Sequence, residues 1–170
     1  AARAARYKEI PQVVYMPTTS PLSFGSLFEE VRALLPADEP VYLVGGAVRD
    51  ALLGKPAHDL DFALQHNAVR VARHVADALG GAFYLLDDQR GTGRVIINTG
   101  GVRSVLDFAL LRGPDLDSDL RGRDYTVNAM AVEAASPQKL LDPLGGAADL
   151  YKRVLRACSE NAIVDDPVRI

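Results

Sequence analysis

The run Val41-Tyr42-Leu43-Val44, ending directly on Gly45-Gly46, constrains the fold more than any other feature of the chain. Four branched, aromatic and apolar residues in a row read as a buried strand. The glycine pair lets the backbone turn sharply at its end. Residues 47–53 then carry a helical pattern that stops at Gly54. The same alternation of short apolar runs and turn residues continues downstream. Residues 59–64 read as the next strand, and Asn67 is placed to cap a helix that ends at Gly80-Gly81. Residues 83–86, 94–98 and 103–109 are three more strands, separated by Gly91-Thr92-Gly93 and Gly100-Gly101. A helical start at Leu120, strands near 130–133 and 140–141, and a Gly145-Gly146 turn follow. Upstream, Ser26 and Glu29 have capping-box spacing, and Leu27, Phe28, Val31, Leu34 and Leu35 recur at helical intervals up to Pro36. The expected fold class is α+β, a mixed sheet flanked by helices.

The domain reading is an N-terminal arm over residues 1–25, a main domain over 26–158, and the opening of a further helical unit over 159–170. A length of 170 residues accommodates one core. Nineteen Lys and Arg against 22 Asp and Glu give a formal charge of -3, so no broad basic surface is available and any contact with nucleic acid must be local. Cys158 is the single cysteine, which excludes an internal disulfide and fits a reducing cytosol. His58, His66 and His74 lack zinc-ligand spacing with it. No apolar run has the length of a membrane span, and the expectation is a cytoplasmic protein with no membrane partner.

Three features carry chemistry. In Asp59-Leu60-Asp61, residues i and i+2 of a strand share a face, so the two carboxylates project together while Leu60 enters the core. Two such acids repel unless a cation lies between them, and Mg²⁺ is a hard ion that shares oxygen ligands with phosphates. Second, Gly45-Gly46 at a helix start permits close approach of backbone N–H groups to phosphate oxygens; the alternative is a plain tight turn. Arg49, one turn into that helix, either reaches a triphosphate or is solvated. Third, Asp107 interrupts the apolar strand Val105-Leu106-Asp107-Phe108-Ala109. It either completes a three-carboxylate site with Asp59 and Asp61, able to hold two metal ions, or faces solvent on an edge strand.

Taken in order, Gly45-Gly46-Ala47-Val48-Arg49-Asp50, Leu53-Gly54-Lys55-Pro56, Asp59-Leu60-Asp61, Asp119-Leu120, Arg123-Asp124-Tyr125-Thr126-Val127-Asn128-Ala129-Met130, Leu141-Asp142-Pro143-Leu144-Gly145-Gly146 and Asp165-Asp166-Pro167-Val168-Arg169 resemble successive motifs of the class II tRNA nucleotidyltransferase and bacterial poly(A) polymerase family. The resemblance implies a nucleotidyltransferase head of the polymerase-β type, followed by a helical neck that residues 159–170 begin. It implies Asp59, Asp61 and Asp107 as catalytic ligands of two Mg²⁺ ions, with ATP and CTP as substrates. Gly45, Gly46 and Arg49 would meet the triphosphate, Arg123 and Asp124 the nucleotide and its ribose, and Asn128 would orient their loop. Asp166 and Arg169 correspond to the pair that reads the incoming base. The activity implied is addition of CMP or AMP to the 3′-hydroxyl of tRNA, with poly(A) polymerase action on general RNA, or a non-catalytic nucleotide-binding module, as alternatives. The RNA itself would be gripped mainly by regions beyond this head.

Overall fold

The computed structural model describes residues 21–160. The expectations for residues 1–20 of the arm, for Asp166 and Arg169, and for most of the neck fall on residues outside that range, whereas the end of the arm is corrected: Leu22 and Phe24 are buried in the core and Gly25 opens the first helix. In chain order the elements are α1 (Gly25–Arg32), β1 (Val41–Val44), α2 (Gly46–Leu52), β2 (Asp59–Leu64), α3 (Ala68–Leu79), β3 (Ala82–Asp87), β4 (Thr92–Thr99), β5 (Val102–Leu110), α4 (Leu116–Arg121), a 3₁₀ turn (Thr126–Asn128), β6 (Ala131–Glu133), β7 (Leu140–Leu141) and α5 (Gly146–Lys152). Among the described residues no helix is long and apolar enough to cross a membrane.

The strands form one seven-stranded sheet in the order β3-β4-β5-β2-β1-β6-β7. Every neighbouring pair is antiparallel except β2 and β5, which run parallel and pair Asp61 with Asp107. Helix α3 and the β3–β4 hairpin supply the long connection that a parallel pair requires.

The period of two along β2 divides the molecule. Leu60, Phe62 and Leu64 point into the main core with Leu106 and Phe108 of β5, under α1 and α3. Phe24, Phe28, Phe62 and Phe108 form a continuous aromatic row, with centroid separations of 5.1, 6.4 and 4.9 Å. Packing of Phe62 on Phe108 fixes the β2–β5 register, because a slip by one residue would turn every side chain to the other face. On the opposite face Ala63, Val44 and Ala131 meet Leu116 and Leu120 of α4 in a smaller cluster, which Cys158 borders. Asp59 and Asp61 share this second face.

Several local expectations are corrected. The Ser26–Glu29 capping box does not form, because α1 starts at Gly25 and Ser26 already lies inside its first turn. That helix ends at Arg32, short of Pro36. Asn67 does occupy the N-cap of α3, but in the left-handed region and without a side-chain cap bond. Helix α4 begins at Leu116, not Leu120, because Asp115 accepts a hydrogen bond from the Ser118 N–H at 2.8 Å and caps it there. Thr92 and Gly93 belong to β4 instead of to the preceding turn. After Gly145-Gly146 the chain continues as α5, whose first N–H groups, of Gly146 and Ala147, are taken by the Asp142 carboxylate at 2.7 and 2.9 Å.

Candidate active site

The site lies where β1 turns into α2, on the face of the sheet opposite the aromatic row. Gly45 has φ +73 and lies so close to its surroundings that a Cβ there would be 3.3 Å from Arg123 Nη1 and 3.7 Å from Asp61 Oδ2. Its N–H is held by the Met130 carbonyl at 3.1 Å. Glycine is thus required twice over, by conformation and by space. From the first turn and a half of α2, Arg49 donates to Asn128 Oδ1 at 2.6 Å through Nη1 and to Asp50 Oδ1 at 3.0 Å through Nε. Asn128 in turn lies 3.5 Å from Asp124 Oδ1 through Nδ2, and that same oxygen accepts from the Tyr125 N–H at 2.7 Å. Asn128 therefore joins Arg49 to the Arg123-Asp124 loop.

A cleft of about 290 Å³ is lined by Gly45, Gly46, Arg49, Asp61, Arg112, Arg123, Asp124 and Asn128. It adjoins a larger hollow of about 960 Å³ that shares Asp61, Arg112 and Arg123 and is also bordered by Asp107. Three arginines and a glycine bend beside a carboxylate are the equipment for a polyanion that carries a cation.

Asp59 is exposed at the start of β2, and Asp61 is half-buried two residues on. Burial, foremost, and the neighbouring Asp107 raise the Asp61 pKa above the usual carboxylate value, while Arg123 opposes them. The Asp61 carboxylate takes part in none of the side-chain hydrogen bonds or ion pairs found among the described residues, the charges that act on it most being Asp107, Arg123 and Asp59. An acid that is partly desolvated, set beside other acids and lacking a bonded donor suits a divalent cation.

Asp107 lies beside Asp61. It is not on an edge, since β5 runs between β4 and β2, so the edge-strand alternative does not hold. As the side chains stand, no three His, Cys, Asp or Glu among the described residues form a group that could hold a metal ion. The Asp107 carboxylate faces Arg94 on β4, directly across from it, which donates Nε to Oδ1 at 2.8 Å and Nη2 to Oδ2 at 2.7 Å. That fork raises the Arg94 pKa further, and the charges of Asp61 and Asp59 add to it.

Sequence reasoning missed three participants. Arg94 stands on the same strand face as Asp107, and the strand pattern could have exposed it only if the β4–β5 register were known. Arg112 lies just past the end of β5 and borders both hollows. Asp119, within a recognised motif, is buried on α4; its Oδ2 accepts from Arg123 Nε and Nη2 at 3.0 and 2.9 Å and its Oδ1 from the Arg112 N–H at 3.0 Å. One buried acid thereby positions both arginines.

Residues 41–156 match the family model described as the poly A polymerase head domain. The chain is 48% identical over 129 residues to the CC-adding tRNA nucleotidyltransferase of Geobacter sulfurreducens, covering 76% of this chain and 29% of that protein. It is 44% identical over 143 residues to the A-adding tRNA nucleotidyltransferase of Deinococcus radiodurans, covering 84% and 31%. Among solved structures, a tRNA nucleotidyltransferase complexed with a primer tRNA and an incoming ATP analog superposes with a TM-score of 0.69 at 33% identity, covering 82% of this chain and 42% of that one. The chain thus spans about a third of the length of the curated relatives it matches.

Proposed function

Because the chain belongs to the poly A polymerase head domain family, we propose that it serves template-independent transfer of CMP or AMP from CTP or ATP to the 3′-hydroxyl of tRNA. The observation that carries this reading is the in-register placement of Asp61 and Asp107 on one sheet face, beside the Gly45 bend and the arginine-lined cleft. Relatives named as CC-adding and A-adding enzymes support the substrate class.

Arg49 and Arg123, with the backbone at Gly45-Gly46, bind and orient the triphosphate, and Asp124 accepts from the ribose. Asp166 and Arg169 read the base: a carboxylate accepts from an exocyclic amine, which C and A possess, while a guanidinium donates to ring acceptors. The donor chemistry of Asp59, Asp61 and Asp107 fits Mg²⁺, and these residues would hold two ions whose contribution is to acidify the attacking hydroxyl and neutralise departing pyrophosphate. The new bond forms between the RNA 3′ oxygen and the α-phosphorus. The bond from that phosphorus to the bridging oxygen breaks, pyrophosphate leaves with its electron pair, and the hydroxyl proton passes to solvent. Asp119 keeps Arg123 aimed throughout.

The test is to incubate the protein with tRNAs ending before, within and after the CCA sequence, supplying CTP and ATP separately. Short, terminated additions support the proposal. Long A tails on generic RNA would make it a poly(A) polymerase, and nucleotide binding without product would make it a binding module.

A further inference from the structure

Asp107 is flanked by opposite charges. Across β5 on one side it is paired with Asp61, and on the other with Arg94. Its carboxylate turns to the cation, and the fork engages both oxygens. As a result the third acid is withheld from Asp59 and Asp61, and no ready ligand set exists among the described residues. Three acids on one face with no counter-charge would repel each other at a cost the sheet has to bear. Arg94 relieves part of that repulsion from within the protein.

The geometry points to Arg94 as a positioning residue that stands in for the metal: it parks Asp107 in the ion-free protein, and a divalent ion must win the carboxylate from it. This rests on the proposed metal role of the three acids. A side chain that merely oriented Asp107 for ligation would give the opposite result when removed, so the two roles are separable by binding alone.

Mn²⁺ binding, read by the loss of the free-ion electron paramagnetic resonance signal, and thermal unfolding with and without Mn²⁺ form the experiment, on the wild-type protein, Arg94→Met, Arg94→Lys and Asp107→Asn. Arg94→Met is expected to bind Mn²⁺ roughly ten-fold more tightly, the effect of removing one competing charge a few ångströms from a divalent ion. It is also expected to melt lower without Mn²⁺ and to gain more on its addition. Arg94→Lys, which keeps the charge and loses the fork, should fall between. Asp107→Asn should bind more weakly than wild type. Unchanged or weaker binding by Arg94→Met, with normal binding by wild type, overturns the role given to Arg94 and leaves the proposed function standing. Absence of Mn²⁺ binding by the wild type even with ATP present overturns both.

Discussion

The buried carboxylate of Asp119 shows how much of the site depends on side chains that hold other side chains in place. It takes a forked donor pair from Arg123 and a backbone donor from Arg112. Removing one partner of a buried ion pair leaves the other uncompensated, so Asp119→Ala should cost about 3–5 kcal/mol in a denaturant titration. It should also weaken nucleotide affinity, because Arg123 loses its aim. Gly45 is constrained differently. Gly45→Ala forces a side chain into a positive-φ site 3.3 Å from Arg123, and should lower stability by roughly 1–2 kcal/mol while displacing that guanidinium from the cleft. Asp61 works against the fold. Its folded pKa lies above its unfolded value, through burial and Asp107, so its favourable contribution is complete only below the ordinary carboxylate pKa and is lost as pH rises through the raised value. Asp61→Asn should therefore melt higher than wild type at neutral pH without metal, in a thermal scan.

At the scale of elements, the strands were the legible part. Residues 59–64 and 140–141 are strands with the bounds that apolar runs and glycines predicted. Helix ends were less so, since α1 and α4 are set by Gly25 and by the Asp115 cap, and α5 is hidden behind a glycine pair that reads as a turn. The shared face of Asp59 and Asp61 follows from a local period of two. The Arg94–Asp107 fork does not, because it is created by pairing between strands, which no local pattern encodes. Helix α5 illustrates the same limit. Its buried Asp149 accepts from Thr126 Oγ1 at 2.7 Å and from Arg156 twice at 3.0 Å, tying α5 to the 3₁₀ turn that carries Asn128. The Thr126 bond, then Arg156, hold its pKa below the usual carboxylate value. This contribution is present above the ordinary carboxylate pKa and lost as pH falls through the depressed value. In a stability profile measured by urea unfolding, Asp149→Asn should be weaker at neutral pH and show a shallower acid limb.

For the whole molecule, the two sheet faces divide the work. The aromatic row Phe24, Phe28, Phe62 and Phe108 and the helices over it hold β2 against β5, and that register delivers Asp61 beside Asp107 on the far side. The -3 formal charge leaves no general attraction for RNA, so any such attraction has to be local, and Arg49, Arg112 and Arg123 line one cleft. The account stands or falls on whether the acids of that face drive transfer. The direct measurement is extension of a labelled tRNA lacking its terminal CCA by wild type and Asp61→Asn, in CTP and ATP with Mg²⁺, alongside the unfolding curve of each. The account predicts extended product from the wild type and none from a variant that is folded and at least as stable. Extension by Asp61→Asn at the wild-type rate, with the same Mg²⁺ dependence, would contradict it.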